Sequence, residues 1–175
     1  VVFTNLTWDS AVLGQEGGFA SIHEWLATVI DAFADRPDDE LIVRIHPAEV
    51  KLAGKQTREP IGEFVHARYP ILPPNVRVVE ATDPTSSYPL MEASDVGLVL
   101  TSTTGLELVL TGTPVIVAGE THSRGKGFSI DVTSTDDLVT ALAKALDDPA
   151  SVARDVDRAW RYAYLFFFTA PLTAP

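Results

Sequence analysis

The chain contains no cysteine, which excludes disulfide bridges, thiolate metal sites and a cysteine nucleophile. No apolar run approaches the ~20 residues that a membrane span requires. The longest greasy cluster, Tyr162 to Phe168, is much shorter and follows a charged helical stretch. Positive charge is scarce: 13 Lys and Arg stand against 24 Asp and Glu, for a formal charge of −11. Duplex nucleic acid calls for a basic face, so this balance argues against it as a partner. Several familiar motifs are also missing. There is no P-loop, no Gly-x-Ser-x-Gly elbow and no His/Asp spacing of the known metal sites, and Gly14-Gln15-Glu16-Gly17-Gly18 does not fit a dinucleotide fingerprint. No metal and no bound cofactor are expected.

What is present is ample apolar material. The 175 residues are 46% hydrophobic with a mean hydropathy of +0.13, enough for one globular domain with a real core. Residue 1 is Val, and Val1-Val2-Phe3 already reads as a core strand. The sequence is therefore expected to be a piece of a longer protein, which leaves any targeting signal outside it.

Apolar strand patterns alternate with helical ones, which predicts an α/β fold built on a Rossmann-like parallel sheet flanked by helices. The strands fall at 1–5, 41–45, 76–80, 96–100 and 114–118, with a short one at 128–132. A helix over 20–34 carries Ile22, Trp25, Leu26, Val29, Ile30 and Phe33 on one face, with a cap at Ser21 or before. Others are expected near 60–68, 90–93, 106–110, 136–146 and 150–166. The aromatic end of the last is too apolar to stand free in water and is expected to dock on another surface. The domain is expected over 1–168, with 169–175 a tail or linker.

In open parallel sheets, ligands sit beyond the carboxyl ends of the strands. Most of the polar residues worth attention lie there. Strand 96–100 runs into Thr101-Ser102-Thr103-Thr104-Gly105 and then a short helix. Free N–H groups at a helix start, together with these hydroxyls, suit a phosphate. Ordinary N-capping needs only one such residue, and four stand in a row. Glu107, in the first turn, suits the helix dipole, and the same carboxylate could accept hydrogen bonds from a ribose; the sequence leaves both open.

Strand 41–45 ends on His46-Pro47, which holds an imidazole rigidly at the rim, where it could stabilise charge on a departing phosphate. Arg124 and Lys126, among the small residues of 121–127, have the composition of a flexible phosphate clamp, with loop solvation as the plainer role. Lys51, Lys55 and Arg58 form another basic group in an acidic chain. His23 and His66 read as surface or packing residues, and Asp83 and Asp131 as turn residues.

Taken in order, these segments resemble the C-terminal, donor-binding half of capsule polysaccharide biosynthesis glycosyltransferases of the two-domain GT-B architecture. The resemblance rests on residues 4–9, Arg44-Ile45-His46-Pro47-Ala48-Glu49, Thr57-Arg58-Glu59-Pro60, Thr101 to Glu107, Arg124 to Phe128 and the closing 162–168. A His-Pro motif and a Ser/Thr motif recur in bacterial sialyltransferases, Kdo transferases and the glycerol-phosphate polymerases of teichoic acid synthesis. There they hold the phosphate of a cytidine nucleotide. The resemblance implies that His46 contacts the donor phosphate and supports its departure, with Ser102, Thr103, Thr104 and Gly105 holding it from the helix end. The loop 82–88, with Ser86 and Ser87, would read the base largely through backbone groups. Arg58 and Lys126 match family positions.

The implied substrate is a nucleotide-activated sugar, a CMP-sugar first, with UDP- or GDP-sugar or CDP-glycerol open. The implied acceptor is a saccharide or glycolipid bound by a missing N-terminal half, which usually carries the base. Asp9, at the rim, could be an exception, though capping or loop ordering fits it as well. The nucleotide-sugar supply implies a cytoplasmic location, with peripheral association at the inner membrane face compatible. Two other readings compete: a UDP-sugar 2-epimerase-like enzyme, whose helix turn is glycine-rich instead of Thr-Thr-Gly, and a non-catalytic nucleotide-binding or assembly module.

Overall fold

The computed structural model describes residues 1–8, 12–51, 59–152 and 154–169. Six short strands form one sheet: β1 (Val2–Phe3), β2 (Leu41–Arg44), β3 (Val76–Val79), β4 (Gly97–Val99), β5 (Val115–Val117) and β6 (Ile130–Asp131). Every pairing is parallel, and the spatial order is β3-β2-β1-β4-β5-β6. The chain builds outward from β1 in one direction, then returns to β1 and builds outward in the other. The reversal falls between β1 and β4, where Val2 lies beside Leu98 and Phe3 beside Val99. A switch of this kind opens a crevice at the carboxyl ends of the strands.

Among the described residues, seven α-helices cover the sheet: α1 (Ile22–Ala34), α2 (Ala48–Lys51), α3 (Ile61–Arg68), α4 (Ser87–Glu92), α5 (Thr104–Leu110), α6 (Thr135–Asp147) and α7 (Val156–Tyr164). The period-2 alternation of each strand sends neighbours to opposite faces. Val2, Leu98 and Ile116 join the core beneath α1, α3 and α6, while Phe3, Val99, Val115 and Val117 join the one beneath α5 and α7. Both faces are covered, which explains why the strands read as continuous apolar runs.

The expected faces and caps are largely as the sequence implies. All six predicted core positions of α1 are buried, and Ser21 Oγ accepts the Glu24 amide at 3.1 Å. Ser134 caps α6 in the same way. Helix α5 presses closely on β4 because two glycines allow it. A Cβ on Gly97 would lie 2.5 Å from Leu108 Cδ1, and one on Gly105 would lie 2.9 Å from Val99 Cγ2.

Three details differ from expectation. α2 has no signature in the sequence, since four residues are too few for a periodic signal. α4 starts at Ser87 because Ser86 accepts the Tyr88 amide. The last helix starts at Val156, where Asp155 caps it, after a separate 3-10 turn at Pro149–Ser151, and runs on as a π-helical segment over Leu165–Thr169. Thr169 closes that segment, and residues 170–175 of the expected tail lie outside the described residues.

Candidate functional site

The site is anchored by two consecutive residues after β1. Thr4, buried, uses its Oγ1 to accept the His46 amide at 3.1 Å and to donate to the Arg44 carbonyl at 3.4 Å. Asn5, also buried, accepts the Thr101 amide through Oδ1 at 3.4 Å. The loop after β1 thus ties down the ends of β2 and β4 on either side of the switch.

His46 Nδ1 accepts the Ala48 amide at 3.1 Å, and its carbonyl accepts the Glu49 amide at 3.0 Å. Pro47 keeps His46 out of the helical region, so the histidine caps α2 through its ring. An Nδ1 that accepts a hydrogen bond places the proton of the neutral imidazole on Nε2. His46 therefore combines a structural role through one nitrogen with a donor on the other. Glu49 reaches away to accept the Ile61 amide at the start of α3, and burial pushes its carboxyl above the ordinary range.

Beside the opposite wall, in the turn before α5, Ser102 is the hydroxyl that caps the helix. Its Oγ accepts the Thr104 amide at 3.3 Å and donates to Thr104 Oγ1 at 3.0 Å. Thr103 is exposed and its side chain caps nothing. The third wall is the loop after β3, shaped by Asp83, whose Oδ1 accepts the Thr85 amide at 2.8 Å. The Thr85 hydrogen bonds hold the Asp83 carboxyl below its ordinary range.

These walls enclose an open cleft of about 420 Å³. His46 and Pro47 come to it from the end of β2, the residues 83–88 from the loop after β3 and the start of α4, and Thr104 and Glu107 from α5. Five residues singled out from sequence meet here: His46, Ser86, Ser87, Thr104 and Glu107. Ser102, Thr103 and Gly105 belong to the adjoining turn without lining the cleft, and Gly105 is buried against β4.

The loop after β5 goes elsewhere. Arg124 donates to the carbonyls of Val117, Gly119 and Val132 and pairs with Glu120 at 3.4 Å, so its guanidinium fastens the ends of β5 and β6. It lines a second hollow of about 400 Å³ with Gly14, Gly17, Gly18, Glu120 and Thr133. Lys126 is exposed. His122 stacks on Phe166, with ring centroids 4.1 Å apart, and burial lowers its pKa. Arg58 and Asp9, both singled out from sequence, lie outside the described residues.

Arg44, Tyr88 and Met91 also line the cleft and were not singled out. The signal for Arg44 was available: a lone cation within an apolar strand is either an edge residue or a buried group with work to do.

A parallel sheet in this order, with a polar cleft beyond its carboxyl ends at the switch, defines a Rossmann-like domain. The family model described as capsule polysaccharide biosynthesis protein matches residues 1–149, and the chain belongs to that family. Among curated proteins, no sequence match reaches significance. Among solved structures, the chain resembles the β Kdo 2,4 transferase KpsC of Thermosulfurimonas dismutans at 20% identity and a TM-score of 0.58, covering 93% of this chain and 43% of that one. It resembles a putative UDP-N-acetylglucosamine 2-epimerase from Listeria monocytogenes at 16% identity and a TM-score of 0.59, covering 94% and 44%. The glycotransferase of kitacinnamycin follows at 20% identity and a TM-score of 0.51, covering 91% and 37%. At these identities the likeness is one of fold, and the chain spans less than half the length of each of these structures.

Proposed function

We propose that this domain is the donor-binding half of an inverting glycosyltransferase that builds capsule or surface polysaccharide from a nucleotide-activated sugar, a CMP-sugar in the first instance. The observation that carries the reading is the meeting of His46, Ser86, Ser87, Thr104 and Glu107, from three separate segments, around one cleft at the strand ends. Family membership supports it, and the likeness to KpsC favours an acidic sugar donor.

In this reading the nucleotide phosphate lies between His46 and the start of α5. An acceptor hydroxyl attacks the anomeric carbon, the bond from that carbon to the phosphate oxygen breaks, and the nucleotide leaves with the electron pair. His46 Nε2–H donates to the phosphate as its charge grows, and Thr104 donates from the other side. Glu107 would accept from a ribose hydroxyl, and the 82–88 loop would read the base. The acceptor and the catalytic base belong to a second half of the molecule. The described residues include no helix long and apolar enough to cross a membrane. The reading places the enzyme in the cytoplasm, at the inner membrane face where a glycolipid acceptor would be met.

The likeness to 2-epimerases supports a second reading, in which the same cleft holds a UDP-sugar during isomerisation. Calorimetric titration of the full-length protein with CMP, CDP, UDP and GDP, repeated for His46→Ala, separates the two. Selective cytidine-nucleotide binding that the substitution weakens supports the transferase. Selective UDP binding supports the second reading, and partner binding without any nucleotide would leave an assembly module.

A further inference from the structure

Arg44 is 3% exposed, on the face of β2 that looks toward α4 and α5. Burying a guanidinium is costly, and the usual compensation is a carboxylate. Here no carboxylate touches it: Asp83 acts on it only from a distance, and among the described residues Arg44 forms no contact ion pair. Its donors go to backbone carbonyls instead. Nη1 donates to Glu80 at 2.7 Å, while Nη2 donates to Thr85 at 2.9 Å and Asp83 at 3.4 Å. Nε is buried with no hydrogen-bond partner among the described residues.

Those three carbonyls span the whole turn between β3 and α4, the turn that forms one wall of the cleft. A loop of this length, Glu80 to Ser86, has little apolar material of its own to hold it. A planar fork holds donors on separate nitrogens in fixed directions and so reaches carbonyls spread along a turn; an ammonium has its donors on one rotatable atom, and an apolar chain has none. The charge matters as well. Asp83 and Glu107 both line the cleft, and among its described lining residues Arg44 is the sole permanent cation. The wall that Arg44 holds also carries Tyr88, 65% exposed and the cleft's one phenolic ring among the described lining residues.

We propose that Arg44 is a positioning residue for ligand selection: it clamps the 80–86 turn into the shape that reads the nucleobase, and it offsets the two carboxylates beside which an anionic nucleotide must sit. This rests on the donor-site reading, and the residue acts through the loop instead of touching the reacting atoms. Its substitution changes which nucleotide binds, and how tightly, more than the rate of the chemical step.

The test uses the full-length protein with Arg44→Lys, which keeps a charge but loses the fork, and Arg44→Met. Binding of CMP, UMP and GMP is measured by calorimetry, and turnover at saturating donor is measured alongside. Both variants are expected to weaken the preferred nucleotide by at least about tenfold and to erase most of the preference among bases, with kcat within about threefold. Asn75→Ala, buried and remote from the cleft, serves as a control of reduced stability and is expected to leave the preference intact.

Should the Arg44 variants not fold, Pro84→Gly loosens the same turn with the guanidinium in place and is expected to reduce base preference in the same direction. A wild-type protein that binds a nucleotide selectively, with Arg44→Lys or Pro84→Gly retaining that selectivity, overturns this inference alone. A wild-type protein that binds none of the three overturns the donor-site reading and this inference with it.

Discussion

At the scale of single residues, side chains that serve backbone carbonyls recur through the fold. Asn75, Arg44 and Arg124 each donate to three of them. Asn75 Nδ2 gathers the carbonyls of Phe33, Arg36 and Asp39 at 2.7–2.9 Å and so joins the end of α1 to the start of β2. Asn75→Ala is expected to cost about 2–3 kcal/mol in urea unfolding, since it leaves buried acceptors without donors. Gly18 is more severe. A Cβ there would lie 1.8 Å from the Thr133 carbonyl oxygen. Because backbone cannot yield as a side-chain tip does, Gly18→Ala is expected to cost about 3 kcal/mol or more, read as a lowered Tm. If the domain serves the proposed transferase, His46→Gln is expected to lower kcat of the full-length protein by about 10²–10³, the usual loss for one donor to a developing anion.

Helices and loops show where local chemistry sufficed and where it did not. The faces of α1 and α6 were legible because each has a Ser cap and a 3.6-residue apolar stripe. The rim location of His46 and Thr104 was legible because strands followed by polar turns place those turns at one end of a parallel sheet. The parting of Arg124 from His46 was not legible. Which of two hollows a loop faces depends on the sheet order and on carbonyls contributed by other segments. The ring stack of His122, Tyr162 and Phe166 likewise joins segments about forty residues apart. The Tyr162 hydroxyl donates to the His122 carbonyl at 2.7 Å and lies 2.9 Å from Nδ1, an arrangement that suits the neutral ring with its proton on Nδ1.

Burial lowers the His122 pKa, so the unfolded chain takes up a proton before the folded one does. The stability this neutral ring contributes is present above about pH 6.5 and falls as the pH drops below that value. His122→Phe is expected to flatten the slope of unfolding free energy below about pH 6.5 while preserving the stack. Asp83 and Asp137, both held below their ordinary range by hydrogen bonds, add an acid limb at lower pH, lost as the pH falls through their folded values.

Across the whole molecule, apolar surface and charge are distributed unevenly. Trp160, Tyr164, Leu165, Phe167 and Phe168 are all exposed along the last helix and the π-helical segment after it. A contiguous face of this kind promotes association. The 175-residue chain is expected to self-associate at high concentration and salt, and Phe167→Ser with Phe168→Ser to return it to a monomer in analytical ultracentrifugation. Electrostatic repulsion from a formal charge of −11 opposes that association at low ionic strength.

The paired anchors Thr4 and Asn5 also have a mechanical meaning. One grips the end of β2 and the other the end of β4, and a single peptide unit separates them. The cleft's His46 side and its Thr104 side are therefore riveted to the same short piece of backbone and cannot part or approach one another freely. A ligand settling between them meets a jaw already set. In the proposed transferase, any clamping stroke would then fall to the travel of this domain as one piece and not to a change in the spacing of its two cleft walls.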